Sequence, residues 1–270
     1  MPKKIILLSL MALTLSLSVF AQQPLRNTAF KSGESLTYNL YYNWQFIWVK
    51  AGTASMTTTE QQYQGQRAYK SALTTRGNGK VDKMFVLRDT ILCYTSTDLV
   101  PLYYRKGARE GKRYYVDELF YKYSGGKCDL TMKALHSNGT RTTDHRSSRD
   151  NIYDMMSIFL RARNYSNTGW QKGHTIKFPI ADGDGMKTAK LTYRGKSTVK
   201  ADDGKKYKCL ELSYLEPDDK NKDKEIVRFF VTDDSNHIPV RLDMFLKFGS
   251  AKAFLVNMKG NRNTITAETK

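Results

Sequence analysis

The sequence predicts a mainly β protein: one large curved antiparallel sheet or open barrel, with a single central helix at about 148–163. Three observations predict it. Short apolar or alternating runs recur from Thr37 to the last residues, turns rich in Gly, Asn and Asp separate them, and one stretch alone carries apolar residues at helical spacing.

The elements follow in chain order. Lys3 and Lys4 precede an apolar run of 13 residues (5–17), and Val19 and Ala21 stand where a small-residue cleavage site needs them. That run is shorter than the roughly 20 residues a membrane-spanning helix requires, so residues 1–21 read as an export signal and not as an anchor. No cysteine sits at the cleavage point, so lipid attachment there is not expected. Export to the periplasm of a Gram-negative envelope is the resulting expectation. Residues 22–32 read as an N-terminal extension, and 33–270 as a single all-β domain, because no Pro-rich linker or internal repeat divides the chain.

The stretch "GESLTYNLYYNWQFIWVKAGTASM" (33–56) is the most aromatic part of the chain. Its even positions Leu36, Tyr38, Leu40, Tyr42, Trp44, Phe46 and Trp48 alternate with mostly polar ones, the pattern of a strand from 35 to 48 with one apolar face. Six further runs lie before the helix, at 52–60, 67–76, 84–95, 101–107, 112–122 and 128–135. Six follow it, at 174–180, 187–199, 206–215, 225–232, 239–247 and 251–259. Turns such as "RGNGK", "YSGGK", "ADGDG" and "ADDGK" connect them, the signature of antiparallel meanders. Pro239 fits the first residue of a strand.

The helix is read from "SSRDNIYDMMSIFLRAR" (147–163), where Ile152, Met155, Met156, Phe159 and Leu160 form an apolar stripe. Ser148 or Asp150 is its expected cap, and Arg161 with Arg163 suit the last turn. At 1.5 Å per residue, a helix of about 12 residues is roughly 18 Å long. That length is too short to cover so broad a sheet, so apolar surface is expected to remain for a ligand or partner.

Several of these segments together resemble a known family. "DLVPLYYRKGAREGKRYYVDELFYKY", "DNIYDMMSIFLRAR", "KGHTIKFPIADGDGMKTAKLTYRGKSTV" and "FFVTDDSNHIPVRLDMFLKFGSAKAFL", with the aromatic stretch, resemble the exported bacterial family called domain of unknown function 3108. The resemblance covers nearly the whole chain after the signal. It implies an all-β envelope protein whose shape is similar to the half-barrels of lipoprotein carriers, and it implies no activity.

Composition bounds the function. The formal charge of +18 falls to +16 without the two signal lysines, a field that attracts polyanions. Export argues against nucleic acid and leaves anionic lipid, acidic glycan or an envelope protein as expected partners. No H-E-x-x-H or G-x-S-x-G motif frames His136, His145, His174 or His237, so no catalytic residue is assigned and the chain reads as non-enzymatic. Asp182 and Asp184 begin like a calcium loop, but Met186 and Tyr193 stand at its fifth and twelfth positions, so no metal or cofactor is expected. Cys93, Cys128 and Cys209 read as core thiols, with one disulfide as the alternative.

Two groups remain as candidate ligand-binding residues. Tyr42, Trp44, Phe46 and Trp48 are expected to line an apolar groove, and Arg105, Arg109 and Arg113 to meet the charged end of a lipid-like component. The alternative is an interaction module without a cavity, docking on an envelope protein or glycan.

Overall fold

A computed structural model describes residues 25–44, 47–83, 86–246 and 249–269; the signal segment and Phe46 lie outside the described residues. Eight strands come first: β1 (Glu34–Trp44), β2 (Ile47–Tyr63), β3 (Gln66–Gly77), β4 (Leu87–Ser96), β5 (Pro101–Glu110), β6 (Arg113–Ser124), β7 (Lys127–Leu135) and β8 (Arg141–Ser148). A single turn of helix, α1 (Gly79–Asp82), joins β3 to β4. Helix α2 (Met155–Ala162) follows β8. The second half runs β9 (Thr175–Asp182), β10 (Gly185–Lys200), β11 (Lys206–Pro217), β12 (Asp223–Thr232), β13 (Pro239–Phe245), β14 (Ser250–Lys259) and β15 (Glu268–Thr269).

All strands join one antiparallel sheet whose two ends do not pair with each other. Its order is β8-β7-β6-β5-β4-β3-β2-β1-β14-β13-β12-β11-β10-β9, with β15 added to β11. β1 pairs with both β2 and β14, so the two halves of the chain meet in the middle of the sheet. Because consecutive strands alternate in direction, the β1–β2, β3–β4, β5–β6 and β13–β14 connections all emerge at the same end, called the rim below.

The face of the sheet that meets α2 is buried; we call it the inner face. Leu36, Tyr38, Leu119, Leu130 and Leu255 pack there with Ile152, Met156 and Leu160. A second cluster places Ile158 against Phe178, Leu191 and Leu212. Cys93, Cys128 and Cys209 are all buried free thiols. Residues 25–32, expected to form an extension, instead send Ala29 and Phe30 fully into the core, where Phe30 meets Tyr69 edge-on at 5.2 Å.

The helix is shorter than its sequence pattern and begins later. Asp154, not Ser148 or Asp150, is the cap: its carboxylate accepts from the Ser157 N–H at 2.8 Å, and the Ser157 hydroxyl accepts from the Asp154 N–H at 3.0 Å. This reciprocal pair satisfies two N–H groups at the helix start. Upstream, Tyr153 is held extended by a bridge to Ile180 on β9, which prevents the helical turn from continuing backwards. Met155, expected on the apolar stripe, is exposed.

The far end of α2 is tied down by an ion pair with almost no solvent contact. Arg163 donates to both oxygens of Glu34, at 2.5 and 2.9 Å, and to the Asn236 carbonyl at 3.0 and 3.2 Å. The contact joins the first residue of β1, the end of α2 and the β12–β13 turn, and the Arg163 guanidinium lies 5.4 Å from the Phe30 ring.

The other corrections concern strands. The alternating run 35–48 is two strands, with a tight reversal between Trp44 and Ile47. β8, "RTTDHRSS", was not expected; it is an edge strand with polar residues on both faces, so it lacks the apolar alternation that marks the others.

Candidate functional site

Residues directly opposite each other on antiparallel strands share a face of the sheet. Tyr42 stands opposite Val49 and Ala251, whereas Asn43 stands opposite Trp48. Tyr42 and Trp48 therefore point to opposite faces, so these two members of the expected aromatic set Tyr42, Trp44, Phe46 and Trp48 do not line one groove. Two causes combine: the chain reverses after Trp44, and β2 carries an irregularity opposite Leu40 and Tyr41 that flips the parity of its upper end. Tyr42 is half-buried, with its hydroxyl 3.0 Å from the point a Cβ on Gly249 would occupy. Trp48 faces outward with the Lys252 ammonium 4.3 Å above its ring. Trp44 is the last residue of β1.

The rim nonetheless gathers apolar side chains. Ile47 is 66% exposed, and Trp48, Val49, Phe245 and Leu246 are each exposed by more than a third. They lie on two neighbouring hairpins, because β1 connects them: Tyr42 pairs with both Val49 and Ala251, and Ala251 pairs with Met244 next to Phe245. Lys50 and Lys252 flank this patch. An apolar tip bordered by cations is the composition that amphipathic membrane-surface segments use.

Further along the same end of the sheet, the outer face is basic. Arg76 stands opposite Arg88, Arg88 opposite Arg109, and Arg109 opposite Tyr114, so four adjacent strands carry three arginines and a tyrosine in one row. Arg88 is ion-paired with Asp82, whose carboxyl is thereby held below its usual range. Arg105 Nε lies 3.9 Å from Glu118. Of the expected cationic residues, Arg105 and Arg109 belong to this face. Arg113, opposite Glu110, does not: it lies one residue out of phase with Tyr114 and points to the inner side. Arg105 and Arg109 thus turn away from the inner face, where a ligand's charged end was expected, while Arg113 alone stays on it.

Below this row runs an aromatic stripe. The rings of Tyr63 and Tyr94 stack at 4.3 Å, Tyr94 and Tyr103 lie 6.3 Å apart, and Tyr103 and Phe120 5.2 Å apart. Lys70 and Lys133 sit over Tyr94 and Phe120 at 5.9 and 5.3 Å. Cations over aromatic rings leave both groups on the surface with their apolar stems covered.

Arg76, Arg88 and Gly107 were missed by sequence reasoning. The two-residue β5–β6 loop makes Arg109 opposite Tyr114 readable, since a tight hairpin fixes its register. The β4–β5 pairing is not readable in that way, because it contains an irregularity between Tyr94 and Thr95.

The titratable groups on the inner side are arranged differently. Burial together with the nearby Glu110 raises the Asp89 carboxyl to about 6. Burial also raises Asp117, despite the opposing effect of Lys106. Lys187 is ion-paired with both Asp182 and Glu216 at 2.9 Å. Among the described residues no group of three or more His, Cys, Asp or Glu is placed to hold a metal ion. The histidines are spread over the molecule: His145 meets Thr131, His136 meets Thr142, His174 stacks on Trp170, and His237 contacts the Arg163 carbonyl. Among the described residues no helix is long and apolar enough to cross a membrane.

Comparison with solved structures supports the fold. A β-barrel-like protein of domain of unknown function DUF1849 from Brucella abortus aligns over 86% of this chain and 98% of its own, with a TM-score of 0.54 and 13% identity. Two others align more loosely. One, from Bacteroides fragilis, is described as a candidate exported protein with a YmcC-like fold (TM-score 0.38, 10% identity, 87% of this chain and 99% of that one). The other, from Parabacteroides distasonis, is described as a candidate lipoprotein (TM-score 0.33, 10% identity, 87% and 99%). No curated protein matches the chain. The family described as "Protein of unknown function (DUF3108)" matches residues 37–256, and the chain belongs to that family.

Proposed function

We propose that the protein is a non-enzymatic component of the Gram-negative envelope, exported to the periplasm, that binds an anionic, acyl-bearing partner through the rim of its sheet. The observation that carries this reading is the juxtaposition at the rim: Ile47, Trp48, Val49, Phe245 and Leu246 exposed on two hairpins, beside the row Arg76, Arg88 and Arg109. Apolar tips supply insertion and the basic face supplies attraction to anionic head groups, with affinity falling as salt rises. The net formal charge, +16 without the two signal lysines, works in the same direction. Relative to the expectation from sequence, the contact surface moves from the inner hollow to the outer edge of the sheet.

The test is sedimentation with phosphatidylglycerol vesicles against phosphatidylcholine vesicles. The wild type is expected to bind the anionic vesicles, and the double substitution Ile47→Asp, Leu246→Asp to weaken that binding at least about tenfold, since each buried aliphatic side chain is worth roughly 1.5–3 kcal/mol. Equal binding to both lipids, or no effect of the rim substitutions, would overturn the reading.

A second reading is favoured by the position of Arg105, which lies five residues before the end of β5 and so further from the rim than Arg109. It is an interaction module that docks an acidic envelope protein or glycan on the outer face alone. Capture of such a partner that survives the rim substitutions but is lost in Arg105→Glu, Arg109→Glu would favour it over the first.

A further inference from the structure

The outer face of β5 lacks a side chain at one point, and the Arg105 guanidinium lies over it. Gly107 stands in mid-strand, opposite Thr90 on β4 and Val116 on β6. A Cβ placed there would lie 3.0 Å from Arg105 Nη1, so the Arg105 guanidinium folds over the space a side chain would fill. Glycine inside a strand weakens it and commonly marks a place where another group approaches the backbone closely. Around Gly107, the residues Arg88, Arg109, Lys112 and Tyr114 border a shallow depression of about 570 Å³ that is open to solvent.

The charge around this depression is not balanced by the protein. Like charges directly opposite one another across strands repel, yet Arg76, Arg88 and Arg109 form such a row. Asp82 offsets Arg88, and Glu118 approaches Arg105. Among the described residues, Arg76, Arg109 and Lys112 have no carboxylate partner.

We infer that the depression centred on Gly107 is a binding site for a phosphate-bearing anion. Arg105 and Arg109 present planar forks suited to two-point hydrogen bonds with phosphate oxygens, and Lys112 adds a point charge at the edge. Tyr114, half exposed, offers a hydroxyl donor and a ring beside them. The missing side chain at Gly107 leaves room for the Arg105 guanidinium to lie over the strand near Arg109, so that both forks border the same depression. The inference rests on the proposed function only in naming the group an acyl-bearing partner would present; the same chemistry is offered by a free phosphate compound.

The experiment is isothermal titration of pyrophosphate into the wild type and three variants, each checked for an unchanged melting curve. Gly107→Val keeps every charge, suits a strand backbone and displaces the Arg105 guanidinium from its place over the strand; it is expected to weaken binding at least tenfold. Arg109→Gln is expected to do the same. Arg113→Gln removes an equal charge from the same hairpin but on the other face, and is expected to stay within twofold of wild type. Wild-type affinity in Gly107→Val, or equal losses in Arg109→Gln and Arg113→Gln, would overturn the site in favour of diffuse attraction, as would no binding of pyrophosphate by the wild type. Competition by pyrophosphate against phosphatidylglycerol vesicles assigns the site to a lipid head group. Pyrophosphate binding without any vesicle binding leaves the site standing with a free phosphate ligand and removes the membrane reading.

Discussion

Removing the carboxylate of Glu34 should unfold the junction between the two halves of the sheet. Glu34 is 2% exposed and Arg163 is 2% exposed, and four hydrogen bonds converge on the one guanidinium. In Glu34→Ala the Arg163 charge stays buried with only the Asn236 carbonyl for a partner. Breaking a buried pair from one side costs about 3–5 kcal/mol, because the remaining charge is uncompensated. For a chain of this size each kcal/mol lowers the melting temperature by about 2–4 °C. The expected loss is therefore about 6–20 °C in a thermal melt followed by circular dichroism. The double substitution Glu34→Met, Arg163→Met should recover most of the loss, since apolar residues of similar volume replace such pairs at little cost. A single variant that melts within about 3 °C of wild type, below one kcal/mol by the same conversion, would refute the reasoning. So would a double variant that loses the sum of both singles.

Two further outcomes follow from the buried groups around α2. Burial raises the Asp154 carboxyl from 3.8 to about 6, even though the helix-start N–H groups and the Tyr121 hydroxyl favour its charged form. A raised acid binds its proton more tightly in the folded state, so its contribution is present in full only below the unfolded value of 3.8 and is lost as pH rises through 6. Urea titrations of wild type and Asp154→Asn should shift in favour of the wild type by about 2 kcal/mol on going from pH 7 to pH 4; a pH-independent difference would contradict this. Burial also pushes the Cys93 thiol well above its usual range and Cys209 to about 12. Native protein should accordingly react with no thiol reagent until denatured, when three thiols titrate; a rapidly labelled cysteine in the native state would show that the core is open.

The fold was legible wherever one face of an element is buried. All 13 runs marked by apolar alternation became β1–β7 and β9–β14, because burial of one face imposes a period of two on a strand. β8 escaped since its residues face solvent on both sides at a sheet edge. The division of the run 35–48 into β1 and β2 escaped for a different reason: its apolar alternation continues without the Gly, Asn or Asp that mark the other turns. The start of α2 is set by the bridge from Tyr153 to Ile180, a contact between residues 27 apart that no local pattern contains.

The candidate site was legible in composition and illegible in geometry. The clustering of Arg105, Arg109, Lys112 and Tyr114 on one hairpin was visible, and the structure keeps those residues together. Arg76 and Arg88 join them only through the β3–β4 and β4–β5 registers. Arg113 leaves them because one residue of phase moves a side chain to the opposite face. The same rule separates Trp48 from Tyr42.

The most direct test of the account is the depth of single tryptophans in anionic vesicles. A variant retaining only Trp48, at the rim, should be quenched by brominated phosphatidylglycerol, whereas one retaining only Trp170, which stacks on His174 at the opposite end of the sheet, should not. Quenching of Trp48 alone is the predicted result; equal quenching of both tryptophans, or of neither, would contradict a protein that meets the envelope with its rim.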